Sequence, residues 1–158
     1  MLLISIILII SGCSNNKTTN NTDYVGMIAT ICDEHKVKYN LIEDEETIIK
    51  GIETTFTGTQ ANKGMFITVY EFRDPKMAKK IYSNSKKGYK KLTKTSSHYN
   101  EKEGIDEIDG KTHEQYGYYV SNKNTYTAIA RKDNVYIMCV DVPAAHEDLI
   151  TSMVSVLK

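Results

Sequence analysis

The sequence predicts an α+β domain in which three helices pack on an antiparallel sheet of about five to six strands. Three observations support this class. Short segments alternate polar and apolar residues, as half-buried strands do, and polar turns join them. Other segments repeat apolar residues at helical spacing. The order strand, turn, strand, proline, helix occurs over Gly51–Leu92 and again over Thr125–Leu157, which suggests two similar halves with their helices on one face of the sheet.

The first elements are a helix and a strand. Tyr24–His35 has apolar side chains at helical spacing, and Thr22 or Asp23 can cap its start. Lys36–Ile42 alternates as a half-buried strand does. Its apolar side chains point one way: Val37, Tyr39 and Leu41. The carboxylates of Glu43–Glu46 lack the spacing and the central Gly of a calcium loop, so they predict a solvated turn or a helix start before Ile48.

A hairpin and a well-marked helix start come next. Gly51–Thr57 and Met65–Phe72 are predicted strands, and Gly58–Gly64 is the loop that joins them. Asp74 can cap the following helix, and Pro75 suits its first position because that position needs no N–H donor.

The helix after Pro75 is basic and amphipathic. Its apolar side is predicted to pack on the sheet, and its other side is rich in lysine. The candidate face for a membrane or an acidic partner consists of Lys79, Lys80, Lys86, Lys87, Lys90 and Lys91. Such a face can rest on the anionic headgroups of a membrane, and the alternative is an ordinary solvated face.

A loop and three strands are predicted for the second half. Thr95–Thr112 contains Gly, Ser and carboxylates, and we expect a loop that can carry a short element around Ile105 and Ile108 and whose charge opposes the Lys-rich helix. Tyr116–Ser121, Thr125–Ala130 and Val135–Val142 form an antiparallel meander, because short turns with Asn and Asp join them. The last of these strands is apolar on both faces and should be central. Pro143 then opens a final helix. Its sheet-facing residues are Leu149, Met153, Val156 and Leu157.

The N-terminal segment carries the one chemically specific motif. Leu2–Ile10 is apolar except for Ser5, but supplies only about half the length that a membrane-spanning helix needs. It runs into Ile10-Ser11-Gly12-Cys13, which resembles the lipobox of bacterial lipoproteins. The resemblance implies cleavage before Cys13, diacylglycerol on the Cys13 thiol, and anchoring to the cell membrane on its extracytoplasmic face.

The predicted organisation follows from this motif. Residues 1–12 are the lipoprotein signal peptide, 13–23 a polar, flexible tether, and 24–158 a single α+β domain. The order of elements in the domain also resembles that of small uncharacterised lipoproteins of Gram-positive bacteria. That resemblance rests on Tyr70-Glu71-Phe72 before the Lys-rich helix and on Asn134-Val135-Tyr136-Ile137 before the C-terminal helix. It implies a fold type and no established activity.

Composition and the remaining reactive residues exclude several functions. Basic and acidic residues balance at 20 each, and Arg occurs only twice, so no nucleic-acid partner is predicted. Cys32 and Cys139 can form a disulfide in an exported chain, or can pack as two buried small hydrophobic residues. Cys32 and His35 have zinc-ligand spacing, but Cys139 and His146 do not, so no metal or other cofactor is predicted. No Gly-x-Ser-x-Gly turn is present, and we predict no catalytic residue.

Tyrosine is the enriched residue that suits binding. A cluster on adjacent predicted strands comprises Tyr116, Tyr118, Tyr119 and Tyr126. Exposed tyrosines on a sheet make a good binding surface, and the alternative is cross-strand packing. The sequence therefore favours a lipid-anchored, non-enzymatic module that binds a protein or small-molecule partner through the sheet. The alternative function is a structural or regulatory accessory of an envelope complex that uses the Lys-rich helix.

Overall fold

The polypeptide contains three α-helices and seven antiparallel strands in a computed structural model that describes residues 23–43, 51–60, 64–95, 99–108 and 111–157. The anchor motif ending at Cys13, most of the acidic turn after Glu43, and the centre of the predicted loop Gly58–Gly64 lie outside these residues. The predicted α+β class is confirmed.

The first two helices begin where the sequence predicts, whereas the last begins at Glu147 and not at Pro143, which ends a strand. Helix α1 spans Tyr24–Glu34, and the Asp23 side chain caps it by accepting from the Gly26 N–H at 2.8 Å. Helix α2 spans Pro75–Thr95, and the Asp74 carboxylate accepts from the Lys76 N–H at 2.9 Å. A 3-10 turn over Ala144–His146 leads into α3, which spans Glu147–Ser155. Both predicted aspartate caps are therefore confirmed.

The strands form a single sheet in the order β1-β2-β3-β7-β6-β5-β4. Their bounds are β1 Lys38–Glu43, β2 Ile52–Gln60, β3 Met65–Phe72, β4 Tyr99–Ile108, β5 Lys111–Val120, β6 Thr125–Lys132 and β7 Val135–Pro143. Strand β7 is central, as its two apolar faces predict, and β5-β6-β7 is the expected meander. The order leaves β1 and β4 at the two edges.

The prediction of a loop over Thr95–Thr112 is wrong. Tyr99–Ile108 is strand β4, which pairs with β5 along its whole length, and β5 itself begins at Lys111. The segment is largely polar, so it lacks the apolar alternation that marks a half-buried strand. An edge strand needs only one neighbour for its backbone hydrogen bonds and tolerates charged side chains well. This strand raises the described sheet to seven strands.

The expectation that all helices share one face is also wrong. Helices α1 and α3 pack on one face, hereafter the α1/α3 face, against a core that includes Ile67 and Ile137. Helix α2 packs on the other face, the α2 face, against Phe72 and Tyr136. Because successive residues of a strand point to opposite faces, the doubly apolar β7 supplies side chains to both cores.

The two strand-strand-helix halves are therefore not related by symmetry. They meet where β3 pairs antiparallel with β7, and a twofold axis normal to the sheet would place α2 and α3 on the same face. A β-bulge near the end of β7 contributes to the difference between the faces that α2 and α3 occupy. Asp141 has φ of +51° there, and the bulge lets Val142 join the α1/α3 core just before the chain enters α3. The predicted sheet-facing residues are all buried: Leu149 and Met153 in α3, and Val156 and Leu157 just after its end.

Candidate functional site

Two of the predicted tyrosines lie beneath α2. Tyr116 and Tyr118 are only 1% and 7% exposed. The Tyr116 hydroxyl lies 3.4 Å from Thr93 Oγ1, and the Tyr118 ring packs against Tyr89 with centroids 5.2 Å apart. These two side chains hold the helix on the sheet, so they do not form the exposed binding surface that the sequence suggested.

The other two tyrosines lie on the opposite face of the sheet. The Tyr119 and Tyr126 rings are cross-strand partners on β5 and β6, with centroids 5.0 Å apart and planes tilted by 45°. The Tyr119 hydroxyl donates to Asn124 Oδ1 at 2.7 Å. The sheet thus divides the predicted cluster into two pairs, and this half-buried pair packs over the β5–β6 turn.

The predicted lysine face runs along the solvent side of α2. Lys79, Lys80, Lys87 and Lys91 are exposed, whereas Lys86 and Lys90 are half-buried. The Lys86 ammonium lies over the Tyr82 ring, 5.9 Å from its centroid, and the Lys90 ammonium lies 5.8 Å from that of Tyr116. A shallow groove of about 620 Å³ follows this side of the helix, with Glu114 at its border. Glu114 is paired with Arg131, so lysines dominate the described lining.

A second groove, which the sequence did not indicate, lies on the α1/α3 face between α1 and the strands β1 and β2. We name it the Tyr39 groove, and its volume is about 420 Å³. It is lined by Asp23, Val25, Gly26, Ala29, Tyr39, Leu41, Thr54, Phe56 and Glu71. The Tyr39 ring stacks on the buried Phe56 ring, with centroids 4.8 Å apart, yet Tyr39 and Leu41 remain 37% and 46% exposed. The large apolar side chains of Tyr39 and Leu41 are therefore in contact with solvent beside the buried Phe56 ring.

One end of the Tyr39 groove is acidic. Burial raises the pKa of the Glu71 carboxyl, and the charges of Glu53 and Asp23 raise it further. A hydrogen bond acts in the other direction, because the Asn134 side-chain amide donates to Glu71 Oε1 at 3.4 Å. The same amide nitrogen donates to the Phe72 carbonyl at 2.9 Å, which fixes its position. The groove therefore joins an apolar body to an end that favours positive charge.

Sequence alternation missed this groove for a physical reason. It placed Val37, Tyr39 and Leu41 on one side of a half-buried strand, and the structure puts them on the α1/α3 face. Val37 is buried there, but α1 leaves Tyr39 and Leu41 uncovered. Alternation identifies the side on which a residue lies and not how far a neighbouring helix extends over it.

The two described cysteines are free and buried, so the alternative of two small hydrophobic residues holds rather than a disulfide. Burial raises the pKa of each thiol to about 12, with a smaller contribution from the Asp33 charge at Cys32 and from Cys32 at Cys139. Both thiols are therefore protonated at neutral pH and are poor nucleophiles. The described residues contain no group of His, Cys, Asp and Glu side chains that could hold a metal ion.

Comparison with protein-family models, curated proteins and solved structures finds no match to this chain. Of the helices in the described ranges, none combines the length and the apolar character needed to cross a membrane.

Proposed function

We propose that this chain is a lipid-anchored, non-enzymatic binding module on the extracytoplasmic face of the cell membrane, and that the Tyr39 groove takes its partner. The observation that carries the proposal is the exposure of Tyr39 and Leu41 beside the stacked Phe56 ring. Apolar side chains exposed around a concave site favour binding, because a ligand that covers them removes apolar area from water.

The chemistry of the groove selects a class of partner. Its centre suits an aromatic or aliphatic group, and its Glu71 end suits an ammonium or guanidinium group. A bound cation favours the charged form of Glu71 and so opposes the pKa increase that burial causes. The ligand class is therefore a protein segment or small molecule with an apolar body and one cationic end.

A small probe tests the groove directly. We expect 2-phenylethylammonium to shift the amide NMR resonances of Tyr39, Leu41 and Glu71 in the full-length chain. Neutral 2-phenylethanol should bind more weakly. Leu41→Ser should abolish the shifts, whereas Leu92→Ser should not, because Leu92 is equally exposed at 46% but lies on α2. Glu71→Gln should remove the preference for the cation. Equal shifts in both leucine variants would contradict the assignment.

Membrane fractionation tests the anchor. The wild-type chain should sediment with membranes, and Cys13→Ser should release it, because the thiol that takes the lipid is gone. A Cys13→Ser chain that stays in the membrane fraction would refute the lipid anchor without bearing on the groove.

The lysine face of α2 supports a second candidate, an accessory that contacts anionic lipid or an acidic partner. The supporting observation is that Lys86 and Lys90 are held over aromatic rings beside a groove lined with further lysines. Charge reversal to Glu at Lys86, Lys87 and Lys90 should reduce binding to phosphatidylglycerol vesicles. The same reversal at Lys38, Lys76 and Lys123, three exposed lysines outside this face, is the control. Equal losses would indicate a response to net charge alone.

A further inference from the structure

A second depression continues the Tyr39 groove. Its volume is about 590 Å³, and Tyr39 lines both spaces. Helix α1 lines both as well, since Val25 and Ala29 border the groove and Asp33 borders the depression. These three residues of α1 are four positions apart and so share one side of the helix. The two spaces therefore follow one another along α1, and we name the combined space the α1 channel.

The two ends of the α1 channel carry opposite charge. Asp23 and Glu71 line the Tyr39 groove at one end. At the other end, the described lining of the depression contains Lys36 and Lys38 against a single aspartate, Asp33. A ligand that fills the channel therefore gains from a positive group at the Glu71 end and from a negative group at the Lys38 end.

The pairing of the strands gives the distance between these ends. Glu71 on β3 is the partner of Thr54 on β2. Lys38 on β1 is the partner of Thr59, five residues further along β2, which is about 17 Å in the strand direction. Strands β1 and β3 flank β2 and so lie about 10 Å apart, a separation that the long side chains of Lys38 and Glu71 can cover. A peptide of about five residues in the extended conformation spans the 17 Å.

The middle of the channel matches the side chains of such a peptide. Tyr39 and Leu41 are two residues apart on β1 and line the same groove, so they are about 7 Å apart along the strand. Alternate side chains of an extended peptide have the same spacing. The second and fourth side chains of a five-residue peptide can therefore cover both exposed apolar residues.

We propose that the α1 channel binds an extended peptide of about five residues, with its N-terminal ammonium at Glu71 and its free C-terminal carboxylate at Lys38. This proposal rests on the proposed function of the Tyr39 groove and narrows its ligand to a short peptide with both ends free. An internal segment of an intact protein has neither terminal group. The expected ligand is therefore a peptide released by hydrolysis of a longer chain.

Peptides with blocked ends test the two charged contacts. The probe is the pentapeptide Gly-Leu-Ser-Leu-Gly, which has apolar side chains at its second and fourth positions. Its dissociation constant is measured by NMR titration of the full-length chain.

Each blocked end should weaken binding by a different factor. Amidation of the C-terminus should raise the dissociation constant about threefold, which corresponds to one exposed ion pair, because Lys38 is exposed. Acetylation of the N-terminus should raise it about tenfold, because Glu71 is half-buried and its contact with the ammonium is better shielded from water. An amidated peptide that binds as tightly as the free acid would overturn the proposal.

Two matched variants locate the carboxylate contact. Lys38→Gln should bind the free acid and the amide equally, whereas Lys76→Gln, at an exposed lysine of α2, should retain the preference for the free acid. Equal behaviour of the two variants would also overturn the proposal. The probe 2-phenylethylammonium has no carboxylate, so its binding to Lys38→Gln should be unchanged. If it binds to the wild type while the peptide shows no preference for free ends, the proposed function of the Tyr39 groove stands and the peptide proposal fails.

Discussion

The hydrogen bond between Tyr136 and Ser85 provides a test of whether α2 packs on the α2 face of the sheet. The Tyr136 hydroxyl on β7 donates to Ser85 Oγ on α2 at 3.1 Å. Tyr136 is fully buried and Ser85 is half-buried. Tyr136→Phe should therefore lower the free energy of unfolding by about 1 kcal/mol, the net value of a neutral hydrogen bond, since the remaining Ser85 hydroxyl can still reach water.

The reverse substitution should cost more. Ser85→Ala leaves a buried phenol hydroxyl without its partner, at a cost of roughly 1–3 kcal/mol. The better helix propensity of Ala offsets about 0.5 kcal/mol of this. Combining both substitutions removes both polar groups, so the double variant should be more stable than Ser85→Ala alone. The expected coupling energy is about 1 kcal/mol.

Urea unfolding of the wild type and the three variants, followed by circular dichroism, measures this coupling. The four proteins must share one m value, so that midpoint shifts report stability alone. A coupling energy below about 0.3–0.5 kcal/mol is within ordinary additivity. Such a result would mean that Tyr136 and Ser85 do not interact, and it would refute the placement of α2 on this face.

The other predictions concern two glycines, the two buried thiols and the half-buried Glu71 carboxyl. A methyl group added at Gly88 or Gly51 meets nothing within 4 Å, but φ is +90° at Gly51. Gly88→Ala should raise the free energy of unfolding by about 1 kcal/mol, because Ala favours a helix. Gly51→Ala should lower it by roughly 1–2 kcal/mol, because Ala disfavours a positive φ. Urea midpoints of the two variants that move in the same direction would contradict this prediction. Burial raises the thiol pKa of Cys32 and Cys139 to about 12 in the folded chain. As the pH rises, the unfolded chain therefore loses these protons at a lower pH than the folded chain does. The free energy of unfolding should therefore fall from about pH 9 towards pH 12, by up to about 1.4 kcal/mol per pH unit per thiol, and Cys139→Ala should reduce the slope measured by urea unfolding. Burial also raises the pKa of Glu71, so Glu71→Gln should stabilise the chain at pH 7, and this gain in urea midpoint should vanish at pH values below the ordinary carboxyl range.

The sequence predicts the fold where local chemistry is decisive. Asp74 and Pro75 mark the start of α2 because a side-chain acceptor and a missing N–H both suit that position. The two apolar faces of β7 predict its central place because only a strand covered on both sides buries both. Strand β4 was missed because its residues are largely polar and lack the apolar alternation of a half-buried strand, although its backbone pairs with β5 along its whole length.

The faces of the sheet and the candidate site depend on packing between distant segments. Helical periodicity shows that α2 and α3 each have an apolar side. That side can pack on either face of a strand such as β7, because both faces of the strand are apolar. The clustered tyrosines of β5 and β6 are divided by the alternation of the strand itself, which puts Tyr118 and Tyr119 on opposite faces. The exposure of Tyr39 and Leu41 depends on the reach of α1, which the strand sequence does not encode.

The two edge strands of the sheet, β1 and β4, differ in how their charged and apolar residues are distributed. The sequence of β4 contains charge along its length (Glu101, Lys102, Glu103, Asp106 and Glu107), and α2 lies against this strand. Both features hinder the addition of another strand. Strand β1 has its charge at the two ends and apolar side chains around Asn40 at the centre. A solvated edge gains nothing from this order, because exposed apolar side chains there invite unspecific pairing. Tyr39 and Leu41 line the Tyr39 groove, so a partner bound in that groove would remove these apolar side chains from water.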